Sequence, residues 1–378
     1  VSVPASAFLK RLAAGVKRFR AADREALLAF RRSIGEAARA RSTPAFFEWQ
    51  FERAPGLAGA TPQVWLYEKN GTVVGQQGGI PVELKAGHRR IRGSWAIDLH
   101  VAPAFRLRGI GVALSETYTR ENGITMALGI TDEARKAFLR AGWTDLGAVP
   151  LFVRPLRTGR LLAARGHGAL GRGLGAAADI PLRAIELAAR IGSRLRSVRL
   201  EEVDHFDERA DRLWTDAADH YPVVCRRDRA YFEWRYVDFP RPGVYRCFHL
   251  LAREHVVAVV VLRMGTRNGV PAGHVVDYWC EPQWTSVLFA ACLRQFRRWG
   301  AVAAYCLHDG PWATKALKRL GFTRRASTTR LMFKETIGED GSSPVDAETM
   351  ALLSDRSNWF VTMGDSDADE GLTQVSGS

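Results

Sequence analysis

The reading turns on Trp95-Ala96-Ile97-Asp98-Leu99-His100-Val101-Ala102-Pro103-Ala104-Phe105-Arg106-Leu107-Arg108-Gly109-Ile110-Gly111-Val112. Trp95 to Val101 sets apolar and β-branched residues between polar ones, the pattern of a strand. A helix follows from about Val112 to Glu121. Between them lies Arg106-x-x-Gly109-x-Gly111. A glycine-rich turn entering a helix lets main-chain amides approach an anion, and the helix start adds unpaired N–H groups and a positive dipole end. Arg106 and Arg108 add charge, and Gly109 and Gly111 remove side chains that would obstruct the approach. No Gly-Lys-Ser/Thr follows, so this is not a nucleoside triphosphate loop. The meander-like flanking strands do not suit a dinucleotide fingerprint.

Working outward, Val64 to Tyr67 and Thr72 to Gly75 read as a hairpin turned at Asn70-Gly71, a type I′ signal. Ile124 to Gly129 is an apolar strand. Asp132 is positioned to cap a helix from Glu133 to Ala141 that stops at Gly142. The chain then echoes itself. Phe46-Phe47-Glu48-Trp49-Gln50-Phe51 returns as Tyr231-Phe232-Glu233-Trp234-Arg235-Tyr236. Asp98 with Pro103 returns as Asp277 with Pro282, and Gly142-Trp143 as Gly321-Phe322. Three landmarks in one order at nearly constant spacing indicate a duplicated α+β domain. In each copy a mixed, mostly antiparallel sheet is expected to be flanked by helices. The predicted organisation is a domain over 1–153, a linker over 154–200, a degenerate second copy over 201–335 and an acidic tail over 336–378. Packing at this density makes the repeated Phe-Glu-Trp elements core anchors, with the glutamates as candidates for a cleft wall.

Composition bounds the function. The 378 residues carry a net charge of +14. Residues 1–42 hold ten Lys/Arg against three acids, and 154–200 ten Arg against two, whereas 335–378 hold one Arg against ten acids. The longest apolar run, Val256 to Leu262, is too short for a spanning helix. Lys10 and Arg11 lead into more charge, so no signal peptide is expected. None of the five cysteines forms a Cys-x-x-Cys, which argues for buried reduced thiols over a disulfide scaffold or zinc ribbon. No metal is predicted. A lone Asp365-x-Asp367 is a weak ligand set for a metal or a cationic amine. Trp359-Phe360-Val361-Thr362 reads as a short docked strand, with disorder expected after Asp369. Gly166, Gly168, Gly171, Gly173 and Gly175 predict a flexible segment before an Arg-rich amphipathic helix over Ile180–Val198. That helix suits either an anionic membrane surface or packing between domains. Nucleic acid is the weaker option, since the charge is divided and no recognition motif is present.

The segment Val64–Trp143 resembles the GCN5-related N-acetyltransferase (GNAT) family. Arg106, Gly109 and Gly111 match its pyrophosphate loop, and Gly142-Trp143 matches the end of its last helix. The whole chain resembles bacterial tandem GNAT-like proteins, some from cell-surface polysaccharide loci. The resemblance implies acetyl-CoA or another acyl-CoA as substrate, its diphosphate on the amides of Arg106, Leu107, Arg108, Gly109, Ile110, Gly111 and Val112. Pantetheine would run beside Leu99 and Val101. The acyl carbon would sit where two parallel strands splay, near Ile130 and Thr131, with Phe138 among the cofactor-binding residues. An amine of a small molecule or amino sugar would attack the thioester directly. Asp98 is the candidate base, its alternative being a strand-edge carboxylate paired with Arg90 or Arg92. His100 shares its face and is the second catalytic candidate. Phe138 stands where the family often has a Tyr that protonates the thiolate, and Thr131 where it has an Asn; Ser115 or water could assist. The second copy reads Glu281-Pro282-Gln283-Trp284-Thr285 in place of the loop and is expected not to bind coenzyme A. The implied setting is cytoplasmic, with a peripheral place at the inner membrane surface opened by 154–200. The competing reading is a non-catalytic GNAT-like scaffold or peripheral membrane protein of a cell-surface polysaccharide pathway.

Overall fold

The computed structural model describes residues 11–57, 61–195, 197–337, 343–367 and 369. The disorder expected after Asp369 falls outside these residues. The chain forms two compact units. The first comprises 1–147, 238–240 and 330–354, and the second 148–237, 241–329 and 355–378.

The first unit begins with β1 (Val16–Arg18), β2 (Val64–Lys69), β3 (Thr72–Ala86), β4 (Arg89–Val101), β5 (Ile124–Leu128) and β6 (Thr144–Ala148). The second contains β7 (Leu151–Pro155), β8 (Val198–Val203), β9 (Val223–Cys225), β10 (Arg246–Ala252), β11 (His255–Arg267), β12 (Val270–Cys280), β13 (Ala303–Asp309) and β14 (Thr323–Arg325). Strand β15 (Arg330–Glu335) belongs to the first unit and β16 (Val361–Thr362) to the second. The first sheet runs β1-β2-β3-β4-β5-β15-β6 and the second β14-β7-β13-β12-β11-β10-β8. Each sheet is mixed: the β4–β5 and β12–β13 pairs are parallel, whereas β1–β2, β2–β3, β3–β4 and β5–β15 in the first and β8–β10, β10–β11, β11–β12, β7–β13 and β7–β14 in the second are antiparallel. The strand inside the end of each sheet is thus exchanged. β15, from late in the chain, flanks β5, and β7, from the end of the first copy, flanks β13.

Local chemistry explains the elements. Asn70 and Gly71 take φ of 50° and 73°, the left-handed pair a type I′ turn requires. Helix Pro44–Phe51 starts with Thr43 accepting the Phe46 N–H and with Pro44 in its first turn. It buries Phe46, Phe47, Trp49 and Phe51 as core anchors, while Glu48 pairs with Arg53 at the surface. The second Phe-Glu-Trp element likewise buries Phe232 and Trp234. Helix Asp132–Arg140 is capped by Thr131, which accepts the Ala134 N–H, and not by Asp132. The Gly-aromatic landmarks are helix C-caps. Gly142 and Gly321 sit at φ of 77° and 82°. Trp143 N–H returns to Phe138 O and Phe322 N–H to Leu317 O, both at 3.0 Å.

Two expectations are corrected. The glycine-rich stretch, expected to stand before a helix that begins at Ile180, itself opens the helix, Gly168–Leu195. The glycine serves close approach there: a Cβ at Gly175 would lie 2.3 Å from the Gly159 nitrogen on the preceding helix. The tail also contains a helix, Ala347–Ser354, within the first unit. The five cysteines are buried free thiols, and burial pushes those of Cys247 and Cys280 up to about 12.

Candidate acyl-CoA site

Strands β4 and β5 pair only through Gly93–Ile124, Ser94–Thr125 and Trp95–Met126 among the described residues. Beyond that point β4 stays with β3 as far as Val101, and β5 with β15 as far as Leu128. The sheet therefore opens as a wedge between β4 and β5. A bulge helps to open it. Gln76 of β3 faces His100 while Gly78 faces Ile97, so β4 carries one extra residue. Asp98, within the bulge, takes a left-handed φ of 52°.

At the end of β4 the chain enters helix Ile110–Arg120 with Gly109 as N-cap at φ 81°. The first bond into the helix runs from Ala113 N–H to Gly109 O at 3.0 Å. The N–H groups of Ile110, Gly111 and Val112 precede it and are left without an intrahelical acceptor. The space at Gly111 is open among the described residues. A Cβ on Gly111 would meet only Val101 Cγ2, at 3.8 Å. Arg106, Leu107 and Arg108 are exposed. Arg106 Nε donates to Val101 O at 3.1 Å, which pins the loop to the strand end. Leu107 is wholly exposed at φ 61°, a conformation that costs a leucine about 1–2 kcal/mol. Leu99 and Val101 are partly buried, on the edge of the core formed with Ile110, Leu114, Tyr118 and Phe138.

The other face of β4 carries charge. The Asp98 carboxylate is buried, 1% exposed, and Arg31 Nη2 donates to it at 2.6 Å. Arg41 Nη1 lies 3.5 Å away and His100 Nε2 3.7 Å away. Burial opposes ionisation, yet Arg31, Arg41 and His100 together hold the carboxyl well below its ordinary range. Such a carboxylate is a poor proton acceptor. His100, with 36% of its side chain exposed, is the member of the pair that solvent reaches. Asp98 is not a strand-edge residue paired with Arg90 or Arg92; Arg90 pairs with Glu83. Gln76, opposite His100, donates to Asp98 O at 3.1 Å, and its Oε1 has no hydrogen-bond partner among the described residues.

Phe138 is 1% exposed and stacked on Trp143 at 4.3 Å, so it is a core residue and presents no face to a ligand. Thr131 is exposed but spends its oxygen on the helix cap. Ser115 is fully buried in its helix. Sequence reasoning missed Arg31, Arg41 and Gln76. Arg31 lies on the buried face of helix Arg24–Ser33 beside Leu27 and Leu28, and a charge on an apolar stripe was the available signal.

An acid titration probes the Asp98 cluster. A carboxyl held low in the folded state contributes full stability above its unfolded pKa, near 3.9, and loses it as pH falls through the lowered folded value. The first unit should accordingly lose stability below about pH 4. Asp98→Asn should flatten that decline in urea unfolding followed against pH.

The second unit has the same wedge, filled. β12 and β13 pair in parallel up to Val275–Cys306, 180 positions after Trp95–Met126. Beyond it Val361 and Thr362 pair with Asp309 and His308, and Gly364 N–H donates to Val276 O at 2.8 Å. Trp359, Phe360, Val361 and Met363 are buried with the tail. Asp277, the counterpart of Asp98, accepts from Arg227 at 3.1 Å, Tyr231 at 2.9 Å, Tyr236 at 2.8 Å and Thr362 at 2.9 Å. Asp365 is buried and accepts from Arg227 at 2.6 Å, so it is spent on an internal ion pair. No acidic, histidine or cysteine cluster fit to hold a metal occurs among the described residues. At the loop position a short Pro282–Trp284 turn, with neither glycine nor arginine, leads into helix Thr285–Arg298.

No protein-family model and no curated protein matches the chain. Solved structures do. A GCN5-related N-acetyltransferase from Anabaena variabilis aligns with a TM-score of 0.57 at 12% identity, over 85% of this chain and 72% of its own. One from Kribbella flavida gives 0.55 at 14% identity, over 85% and 70%. Saccharomyces cerevisiae N-myristoyltransferase with bound myristoyl-CoA gives 0.50 at 12% identity, over 84% and 80%. The chain is built as two copies of the GCN5-related N-acetyltransferase fold.

Proposed function

We propose that the protein is an acyl-CoA-dependent N-acyltransferase with one working thioester site, in the first unit. The observation that carries this reading is the set of three N–H groups at Ile110, Gly111 and Val112, beside an open wedge and flanked by Arg106 and Arg108. Amides at a helix start suit a diphosphate, and the wedge gives pantetheine a path beside Leu99 and Val101. Neighbours whose names specify acetyl or myristoyl transfer support the reaction class without fixing the acyl chain.

His100 takes the proton that the acceptor ammonium must lose, and Asp98, 3.7 Å from its Nε2, orients the imidazole. The amine nitrogen then attacks the thioester carbonyl. The C–N bond forms, the C–S bond breaks, the attached nitrogen gives up its second proton to solvent to leave a neutral amide, and the departing thiolate takes a proton from solvent. The acceptor is a primary amine on a small molecule or an amino sugar. Acetyl-CoA incubated with a panel of primary amines should release thiol and give a product heavier by one acetyl group. His100→Ala should lower kcat about 100-fold with little change in the KM for acetyl-CoA. An unchanged kcat would remove His100 from the reaction.

A second reading, a GNAT-like protein that binds coenzyme A without transfer, is favoured by one observation. Phe138 lies in the core where the family often has a proton donor. Acetyl-CoA binding with no thiol release across the panel would select it.

A further inference from the structure

We infer that helix Gly168–Leu195 and its surroundings in the second unit form a docking surface for an anionic membrane. Two adjoining grooves, of about 520 and 410 Å³, lie along this helix and share Arg183 and Arg297. Arg157 and Arg160 line the first, and Arg294 and Arg298 the second. Two acids also line them, but both are committed inward. Asp179 accepts from the Thr158 N–H at 3.0 Å. Glu186 pairs with buried Arg154 and with Arg297, each at 2.7 Å. Arg160, Arg183 and Arg298 are exposed, with no ion pair among the described residues. Arg160, Arg183 and Arg298 therefore keep the outward charge of these grooves positive.

What lies beside this charge selects the occupant. Ile180 is 67% exposed and Leu187 57% exposed. With Ala184 they follow a step of four and then three, one stripe along the helix, and Arg183 borders it on the groove side. Aliphatic side chains beside arginines match the boundary between lipid headgroups and acyl chains. A nucleic-acid surface would favour aromatic or planar stacking partners there, and the stripe supplies none. No helix among the described residues is long and apolar enough to cross a membrane, so this contact would be peripheral.

The test is co-sedimentation of the full chain with phosphatidylcholine vesicles made with and without phosphatidylglycerol, at low and high salt. Binding is expected only with phosphatidylglycerol and should weaken as salt rises. Arg183→Glu with Arg298→Glu should weaken it by about tenfold or more. Ile180→Ser with Leu187→Ser should also weaken it. Arg160→Glu, on the neighbouring helix, provides a second charge variant should the first misfold. Equal binding to neutral vesicles, or wild-type binding by the folded variants, overturns the inference. So does a serine variant that keeps wild-type vesicle binding while duplex DNA displaces the chain, because that marks a nucleic-acid surface.

Discussion

Gly111→Asp is expected to weaken acetyl-CoA binding by on the order of 100-fold, about 2.7 kcal/mol, while leaving the fold intact. The two effects separate because of where Gly111 lies. Its added Cβ would meet only Val101 Cγ2 at an ordinary 3.8 Å, so the unliganded protein accommodates the side chain. The carboxylate would occupy the space in front of the Ile110, Gly111 and Val112 N–H groups and repel the diphosphate. Gly111→Ala adds bulk without charge and should fall between wild type and Gly111→Asp. Calorimetric titration with acetyl-CoA reads the affinity, and the unfolding midpoint in urea reads the fold. Wild-type affinity in Gly111→Asp would move the diphosphate elsewhere.

Gly364→Ala is expected to destabilise the second unit by about 3–5 kcal/mol. A Cβ there would stand 2.0 Å from Tyr236 Oη and 2.9 Å from the Asp277 side chain. Either Tyr236 swings away and Asp277 loses a buried hydrogen bond, or the tail backs out. Backing out would take Asp365 from Arg227 and Thr362 from Asp277, exposing Phe360 and Met363. Leaving a buried guanidinium short of a partner is among the costlier changes a core can undergo. The readouts are the urea midpoint and the rate of proteolytic cleavage ahead of Trp359. A variant that unfolds and resists cleavage as wild type does would contradict the plugged wedge.

Much of this was legible in the residues. The Arg106–Gly111 turn, the hairpin at Asn70-Gly71 and the duplicated landmarks each depend on local chemistry that the chain displays directly. Gly142-Trp143 and Gly321-Phe322 were visible as echoes, and the structure supplies their cause as helix caps. What stayed hidden depends on pairing at long range. The exchange of β7 and β15 leaves no local mark, since either strand has the same apolar character in either sheet. Asp98 drew attention as a base because spacing reveals a face and not a partner. Its hold by Arg31 and Arg41 requires knowing where two other segments pack. The apolar run at Trp359 announced a docked tail, but its seat in the second wedge follows only from the register of β16 on β13. The helix through the glycine-rich stretch was hidden for a different reason. Glycine reads as flexibility unless the close approach at Gly159 is known.

The most direct measurement is calorimetric titration of the wild-type chain with coenzyme A and, separately, with pantetheine, which lacks the diphosphate. One molecule of coenzyme A should bind per chain, because the second wedge is occupied by the tail, and pantetheine should bind at least about tenfold more weakly. Equal affinities, two coenzyme A molecules per chain, or no binding at all would contradict a single diphosphate cradle at the start of helix Ile110–Arg120.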